Sequence, residues 1–393
     1  MRIYINKKLL WIFIPLIFVL IIVLDNYQER YIPPDISINS KNFVDKSGVI
    51  HIHTVYSDGS GTFKELSEVA KKVKADFLII SDHNTWKAYY DGKERYYDGT
   101  LILIGMELSS PVGHLLILPE DTIITNLRVD TLFKYLINYS SQALIYLAHP
   151  FHPKNPVTNW NFGRYNGLEL VNGDSEWRND NVLELVEALG GAIFFSSYLN
   201  ILMDTPERAL NIWDKLLESR KVFIIGSTDA HANIKISDNR KIKFPSYYSS
   251  FKMIRTHLLI NEDFTGDLAT DRNLVLNSLK NGRCYVGIDG YCNTRGFSFY
   301  AVKENRFFYM GDNVKIDSFI NFVVLSPDTS DVRIKLLKNG KIVKMAEKGK
   351  LTYKTDEPGN YRVEIYQLRR VFPFIRKKER PWIYSNPIFV IKD

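Results

Sequence analysis

The sequence predicts an α/β core of mostly parallel strands, closed into a barrel, followed by an all-β sandwich-like region. Three observations predict it. From Val49 to about Asp289, short apolar strands alternate with amphipathic helices, the pattern of a parallel α/β layout. Those strands are apolar throughout, as expected when both faces are covered. Several end at or just before a histidine or carboxylate, and a barrel gathers strand ends where an open sheet would spread them in a line.

Taken in order, the chain opens with an apolar run from Leu9 to Leu24, broken only by Pro15 and preceded by Arg2, Lys7 and Lys8. As a helix this run is about 24 Å long, and flanking Tyr and Lys residues can extend its reach to a bilayer. No small-x-small cleavage site follows it. The reading is an uncleaved signal anchor over residues 1–30, with the rest of the chain outside the cytoplasm; secretion after cleavage is the alternative. Residues 31–47 are polar, contain Pro33-Pro34, and read as a linker.

The stretch VIHIHTVYSDGSG, Val49 to Gly61, starts as a strand and ends as a loop. Alternation along a strand puts His51 and His53 on one face, where two imidazoles can share one cation. Asp58 follows in a glycine-flanked turn. Thr62 to Lys74 reads as an amphipathic helix, with Thr62 and Glu65 forming a capping box. The next strands are FLII, ending in Asp82 and His83; LILIG, ending near Glu107; and HLLIL, opened by His114. Thr131–Ser140 reads as helix. The strand from Ala143 ends at His149, with His152 just beyond. Gly167–Val171 is a strand, Asn181–Leu189 and Pro206–Ser219 read as helices, and VFIIGS runs into Asp229-Ala-His231.

Of the eight histidines, only His257 lies outside these segments. A single strand-end histidine is ordinarily a satisfied core residue. Several such segments carrying carboxylates as well point to a multi-metal site. The donors are nitrogen and oxygen without sulfur, which favours Zn²⁺, Mn²⁺ or Fe²⁺. They are too numerous for one ion, so two or three divalent ions are expected. Cys284 and Cys292 are the only cysteines, so a thiolate zinc site is excluded; whether the two are bonded stays open. The net charge of +7 falls to +4 without Arg2, Lys7 and Lys8, too weak a bias to argue for nucleic acid.

The order HxH…D…H…E…H…H…DxH, carried by His51, His53, Asp58, His83, Glu107, His114, His149, Asp229 and His231, resembles the PHP (polymerase and histidinol phosphatase) family. The resemblance spans roughly Val49 to Ala232 and implies a distorted (β/α)₇ TIM-like barrel holding up to three metals. Carried over position by position, His51, His53, Glu107 and Asp229 would hold one ion. His114 and His149 would complete a second through a bridging Glu107. Asp58, His83 and His231 would hold a third. Asp82 matches an aspartate beside the third group. Asp82 and His231 are weak acid/base candidates, and His152, which has no family counterpart, is a candidate substrate contact. NSLKNGRCYVGI and PWIYSNPIFV extend the resemblance to a carbaryl-hydrolase-like branch.

These features imply a metal-dependent phosphoesterase acting on a small-molecule ester. The alternatives are hydrolysis of a carboxylester, carbamate or amide, and a metal-dependent binding module without catalysis. The barrel is expected over residues 48–289. Over 290–393, runs such as NYRVEIYQL alternate apolar and polar residues. Asn339-Gly340 marks a hairpin, giving a small antiparallel β-sandwich. The basic stretch Arg369–Arg380 reads as a solvated loop, or as a contact with an anionic membrane surface.

Overall fold

A computed structural model describes residues 43–120, 122–179, 202–237, 240–328, 331–371 and 376–392. The expected anchor, most of the linker and the helix expected over Asn181–Leu189 lie outside the described residues. So do Phe372, Phe374 and Ile375 of the basic stretch. No described helix is long and apolar enough to cross a membrane.

The first sheet is built around β1 (Val44–Ile52). The helix α1 (Phe63–Lys72) follows, and Thr62 and Glu65 close the expected capping box. β2 (Phe77–Ile80) pairs parallel to β1, and β3 (Thr100–Ile104) parallel to β2. At Gly105 the chain leaves this sheet. A side chain there would strike Leu118 at 2.6 Å and the Ile117 carbonyl at 2.8 Å, so glycine permits the crossing. The second sheet comprises β4 (Met106–Ser110), β5 (Gly113–Pro119), β6 (Ala143–Leu147), β7 (Gly167–Asn172) and β8 (Phe223–Ser227). The first three pair antiparallel and the last three parallel.

The sequence predicts one closed barrel; the described strands instead form a mixed α/β fold of several sheets. The two sheets meet at two seams that carry isolated bridges rather than full ladders. At one seam the Gly105 and Glu107 amides donate to Ile80 and Ser81. At the other, the Thr228 amide donates to Ile50 and the His53 amide to Ala230. The antiparallel hairpin β4–β5 occupies a place where a crossover helix would be needed to keep every strand parallel.

Beyond the second sheet the chain returns to β1. β9 (Arg255–Ile260) pairs antiparallel with it, and β10 (Cys284–Gly287) with β9, while the intervening helix spans Leu268–Lys280. The alternating region after Gly290 forms strands, as its period-2 pattern requires. One four-stranded sheet contains Ser298–Lys303, Arg306–Tyr309, Ile320–Leu325 and Lys350–Thr355. Gly359–Val371 and Arg376–Ser385 form a long hairpin, and the latter pairs with β10. One ladder therefore runs from β2 through β1 into the C-terminal strands. Phe322 of the four-stranded sheet stacks on Tyr361 of the strand Gly359–Val371 at 4.4 Å. The Asn339-Gly340 turn joins Val332–Lys338 to Lys341–Ala346, both residues having positive φ.

His257, the histidine set apart by sequence, is buried in this ladder. It meets Asp45 at 2.8 Å and Asp289 at 3.2 Å and stacks on Tyr285. Burial lowers its pKa, but the two carboxylates outweigh burial and hold it at about 9. Cys284 and Cys292 are buried and are not joined in a disulfide.

The raised His257 pKa has a signed consequence. Its stabilisation is fully present below the unfolded value of 6.5 and is lost as pH rises through about 9. Urea midpoints of the wild-type chain should fall across that window by the equivalent of about 3 kcal/mol. His257→Gln should remove this contribution and leave a shallower dependence.

Candidate metal centre

β1 carries a bulge at its end. Ile50 pairs with Ile79 and Ile52 with Ile80, leaving His51 as the extra residue. His51 takes φ +64, in the left-handed region that non-glycine residues avoid. His51 and His53 do share a target as expected, but the bulge, not simple alternation, aims them. His149 (φ +27) and Asp229 (φ +49), just past the ends of β6 and β8, are strained in the same sense.

These residues converge on Glu107 in β4. His51 Nε2 lies 3.1 Å from Glu107 Oε2 and 3.3 Å from Asp229 Oδ1. His53 Nε2 lies 3.2 Å and 3.1 Å from the same two oxygens. All four atoms are buried, and none has a hydrogen-bond partner. An unsatisfied buried polar atom costs about 1–3 kcal/mol, more for a charged one. Four donors set tetrahedrally about 2.1 Å from a common centre are about 3.4 Å apart. The four orphaned atoms therefore fit one divalent ion, in the grouping expected from sequence.

The other Glu107 oxygen is met by His114 Nδ1 at 2.6 Å and His149 Nε2 at 2.8 Å. His83 Nδ1 lies 3.0 Å from Glu107 Oε2, so a second group gathers His83, Glu107 and His114. A third gathers His53, Asp58, His83 and His231. His231 Nε2 is 3.3 Å and His83 Nε2 3.7 Å from Asp58. The centre is graded from wall to mouth: His51 is fully buried, His231 23% exposed, His83 28% and Asp58 55%.

Electrostatics follow from the crowding. Burial alone would push Glu107 and Asp229 up. Both are held well below the usual carboxylate range by the charge of His51, aided at Glu107 by the His114 and His149 hydrogen bonds. Burial lowers His51, but Asp229, Glu169 and Glu107 raise it well above the ordinary value. His231 is likewise lowered by burial and lifted to about 9 by Asp58 and Asp229. Among the described residues, the ion-pair partners of Asp58, Glu107, Glu169 and Asp229 are all histidines. Divalent cations would neutralise this anionic set.

Asp82 is in none of the three donor groups. Its carboxylate accepts from the Thr54 amide and hydroxyl at 2.8 and 2.7 Å and from Ser57 at 2.6 Å. It anchors the turn that carries Asp58. His152 stands at the rim, its ring centroid 5.2 Å from that of His149.

Two residues escaped sequence reasoning. Tyr247 accepts from the Ser60 and Gly61 amides and lies 2.8 Å from the His53 and His231 carbonyls. It clamps the Asp58 loop to the segment ending in His231, and nothing in SYYSSFK signals that. Glu169 contacts His51 and His149 from behind. Its signal was available: a charged residue inside the buried strand GLELVN.

No protein-family model matches the chain, and no curated protein matches it. It is similar to a two-domain protein of Bacteroides vulgatus containing a predicted PHP-like metal-dependent phosphoesterase. The TM-score is 0.40 at 13% identity, over 88% of this chain and 96% of that one. A candidate metal-dependent phosphoesterase of Bifidobacterium adolescentis gives 0.28 at 14%, over 52% and 94%. An amidohydrolase of Chromobacterium violaceum, with bound sulfate and no metal, gives 0.25 at 10%, over 51% and 92%.

Two outcomes are expected here. A side chain at Gly59 would sit 2.2 Å from the His53 carbonyl, so Gly59→Ala should push out the Asp58 turn. Metal titration should then show the outer group, His53, Asp58, His83 and His231, weakened about tenfold or more and the inner group, His51, His53, Glu107 and Asp229, retained. Because His231 is protonated below about 9, loading the outer group must release its proton. Affinity there should rise with pH up to about 9 and level off above. Calorimetry in buffers of different ionisation enthalpy reads the released proton directly.

Proposed function

We propose that the chain is a metal-dependent hydrolase and that its substrate is a small phosphoester. The observation that carries the proposal is the set of four buried, orphaned donor atoms on His51, His53, Glu107 and Asp229. Such a set is costly unless an ion satisfies it, and it opens toward solvent through the partly exposed His83, His231 and Asp58. The proposed ligands are His51, His53, Asp58, His83, Glu107, His114, His149, Asp229 and His231, holding two or three ions of Zn²⁺, Mn²⁺ or Fe²⁺. When bound there, such ions would supply hydroxide near neutral pH and charge stabilisation at the scissile bond.

The chain's own residues do the rest. Glu107 presents one oxygen to each side and keeps the two groups in register. Asp58 and His231 stand at the mouth, where a leaving oxygen would emerge. The His231 Nδ1 lies 2.9 Å from the Asp229 carbonyl oxygen, which orients its ring. The paired donor groups support phosphoesters over carboxylesters, since the oxygens of one phosphate can span two groups. The PHP resemblance in the ligand order supports the same choice, whereas the carbaryl-hydrolase-like end motifs favour the alternative of a carbamate or carboxylester.

The test uses the full chain, stripped with chelator and reloaded separately with Mn²⁺, Zn²⁺ and Fe²⁺. It is assayed on paired chromogenic phosphate and carboxylate esters. Metal-dependent turnover of the phosphate ester is expected, reduced about a thousandfold or more in Glu107→Gln. Turnover confined to the carboxylate ester would replace the substrate assignment. Metal binding without turnover of either would argue for a binding module.

A further inference from the structure

Glu169 touches neither the expected reacting position nor any donor atom, yet the inner group is built against it. One oxygen meets His51 Nδ1 at 2.7 Å. The other accepts from the His149 amide at 2.6 Å and from the Asn172 side-chain amide at 2.8 Å. The residue is buried. His51 and His149 are two of the strained residues of the centre. A single carboxylate thus holds the ring of one and the backbone of the other.

We infer that Glu169 is a positioning residue that sets the tautomer of His51, and so decides whether the inner group can take an ion. A carboxylate has no proton to donate, so His51 Nδ1 must carry the hydrogen of their bond. In the neutral ring that ligation requires, the lone pair then lies on Nε2, the orphaned atom 3.1 Å from Glu107 and 3.3 Å from Asp229. With the opposite tautomer, Nε2 would carry a proton and could not ligate. Partners of this kind, behind a ligating histidine, alter metal affinity by about tenfold to a hundredfold when removed.

Glu169→Gln is a demanding test because its orientation is dictated. The side facing the His149 and Asn172 amides must be the carbonyl oxygen, since both partners are donors. The amide nitrogen then faces His51 Nδ1 and donates to it. The His51 proton is driven to Nε2, the wrong atom, with almost no change in shape or volume. The inference rests on the metal-site reading above but not on the reaction, so its readout is ion binding.

The experiment is a Co²⁺ titration of chelator-stripped wild type and E169Q, followed by d–d absorption, with total metal counted on the loaded proteins. Wild type should bind with a strong tetrahedral spectrum. In E169Q the inner ion should bind tenfold to a hundredfold more weakly, while the outer ions and the thermal midpoint of the stripped protein are unchanged. At a pH high enough to make the ring neutral, nitrogen chemical shifts of labelled histidine should show the His51 proton on Nδ1 in wild type and on Nε2 in E169Q. Adding E169Q to His51→Ala should weaken binding no further than His51→Ala does. Should E169Q fold poorly, Asn172→Ala removes one of the two donors that hold Glu169 and should weaken the same ion by a smaller factor. Wild-type affinity and spectrum in both variants would overturn the inference. So would a loss of thermal stability without a change in binding, which would make Glu169 merely structural. A wild-type chain that binds no ion would overturn the metal-site reading itself.

Discussion

A single buried carboxylate, Glu107, is the constraint on which the centre depends. An ionised carboxylate inside a protein is expensive unless it is paired and hydrogen-bonded. Here no lysine or arginine among its described neighbours answers it; imidazoles do. His51, His53 and His83 approach one oxygen, and His114 and His149 the other. Those histidines come from β1 and the residue just past it, from the segment after β2, from β5 and from the segment after β6. The charge on one residue therefore requires several elements from two sheets to meet at one point. That requirement explains why the chain crosses between sheets at Gly105, two residues before Glu107. The crossing places Glu107 at the seam, within reach of both sheets.

Backbone strain concentrates at the same place. His51, His149 and Asp229 all have positive φ, each costing on the order of 1–3 kcal/mol. Strain of this kind persists only where surrounding contacts over-determine it. Glu169 supplies such contacts to His51 and His149, and the β1–β8 seam supplies them to Asp229, through the Thr228 and Ala230 amides donating to Ile50 and His51. The centre is thus stiff at its wall. It is more open toward Asp58, whose turn is held by Asp82, Tyr247 and the Asn233 side chain.

How much of this was legible in the sequence divides along a physical line. Residue type and order survive folding, so the donor set, the capped helix after Gly61, the α/β alternation and the switch to antiparallel strands could be read directly. What depends on where strands stop pairing could not. The alternation that put His51 and His53 on one face reached the right conclusion, yet the bulge at His51 is what aims them. The barrel was expected closed because apolar strands ending in donors imply converging strand ends, and the ends do converge. Convergence here comes from two sheets meeting at seams, which hydrophobic pattern does not distinguish from a closed ladder. Glu169 was visible as a charge in an apolar strand, but only the fold shows that it faces two histidines.

The C-terminal strands bear on the centre through one side chain. β8 leads into Asp229 and has no partner strand along its full length on the β1 side. Asn386 fills that gap: its oxygen accepts from the Ile224 amide at 2.8 Å, and its nitrogen donates to the Ile224 and Cys284 carbonyls at 3.1 and 2.9 Å. An amide side chain carries its donor and acceptor on separate atoms, as a strand backbone does, so it can pair an orphaned strand residue where no strand fits. The strand pairs made by Arg376–Ser385 with β10, and the buried Arg362–Asp214 ion pair, hold the C-terminal region against the α/β core. They also hold Asn386 in place. The backbone that presents Asp229 is therefore completed by a residue more than 150 positions away in sequence. On this argument the C-terminal region is part of the scaffold of the centre, independently of any partner it binds.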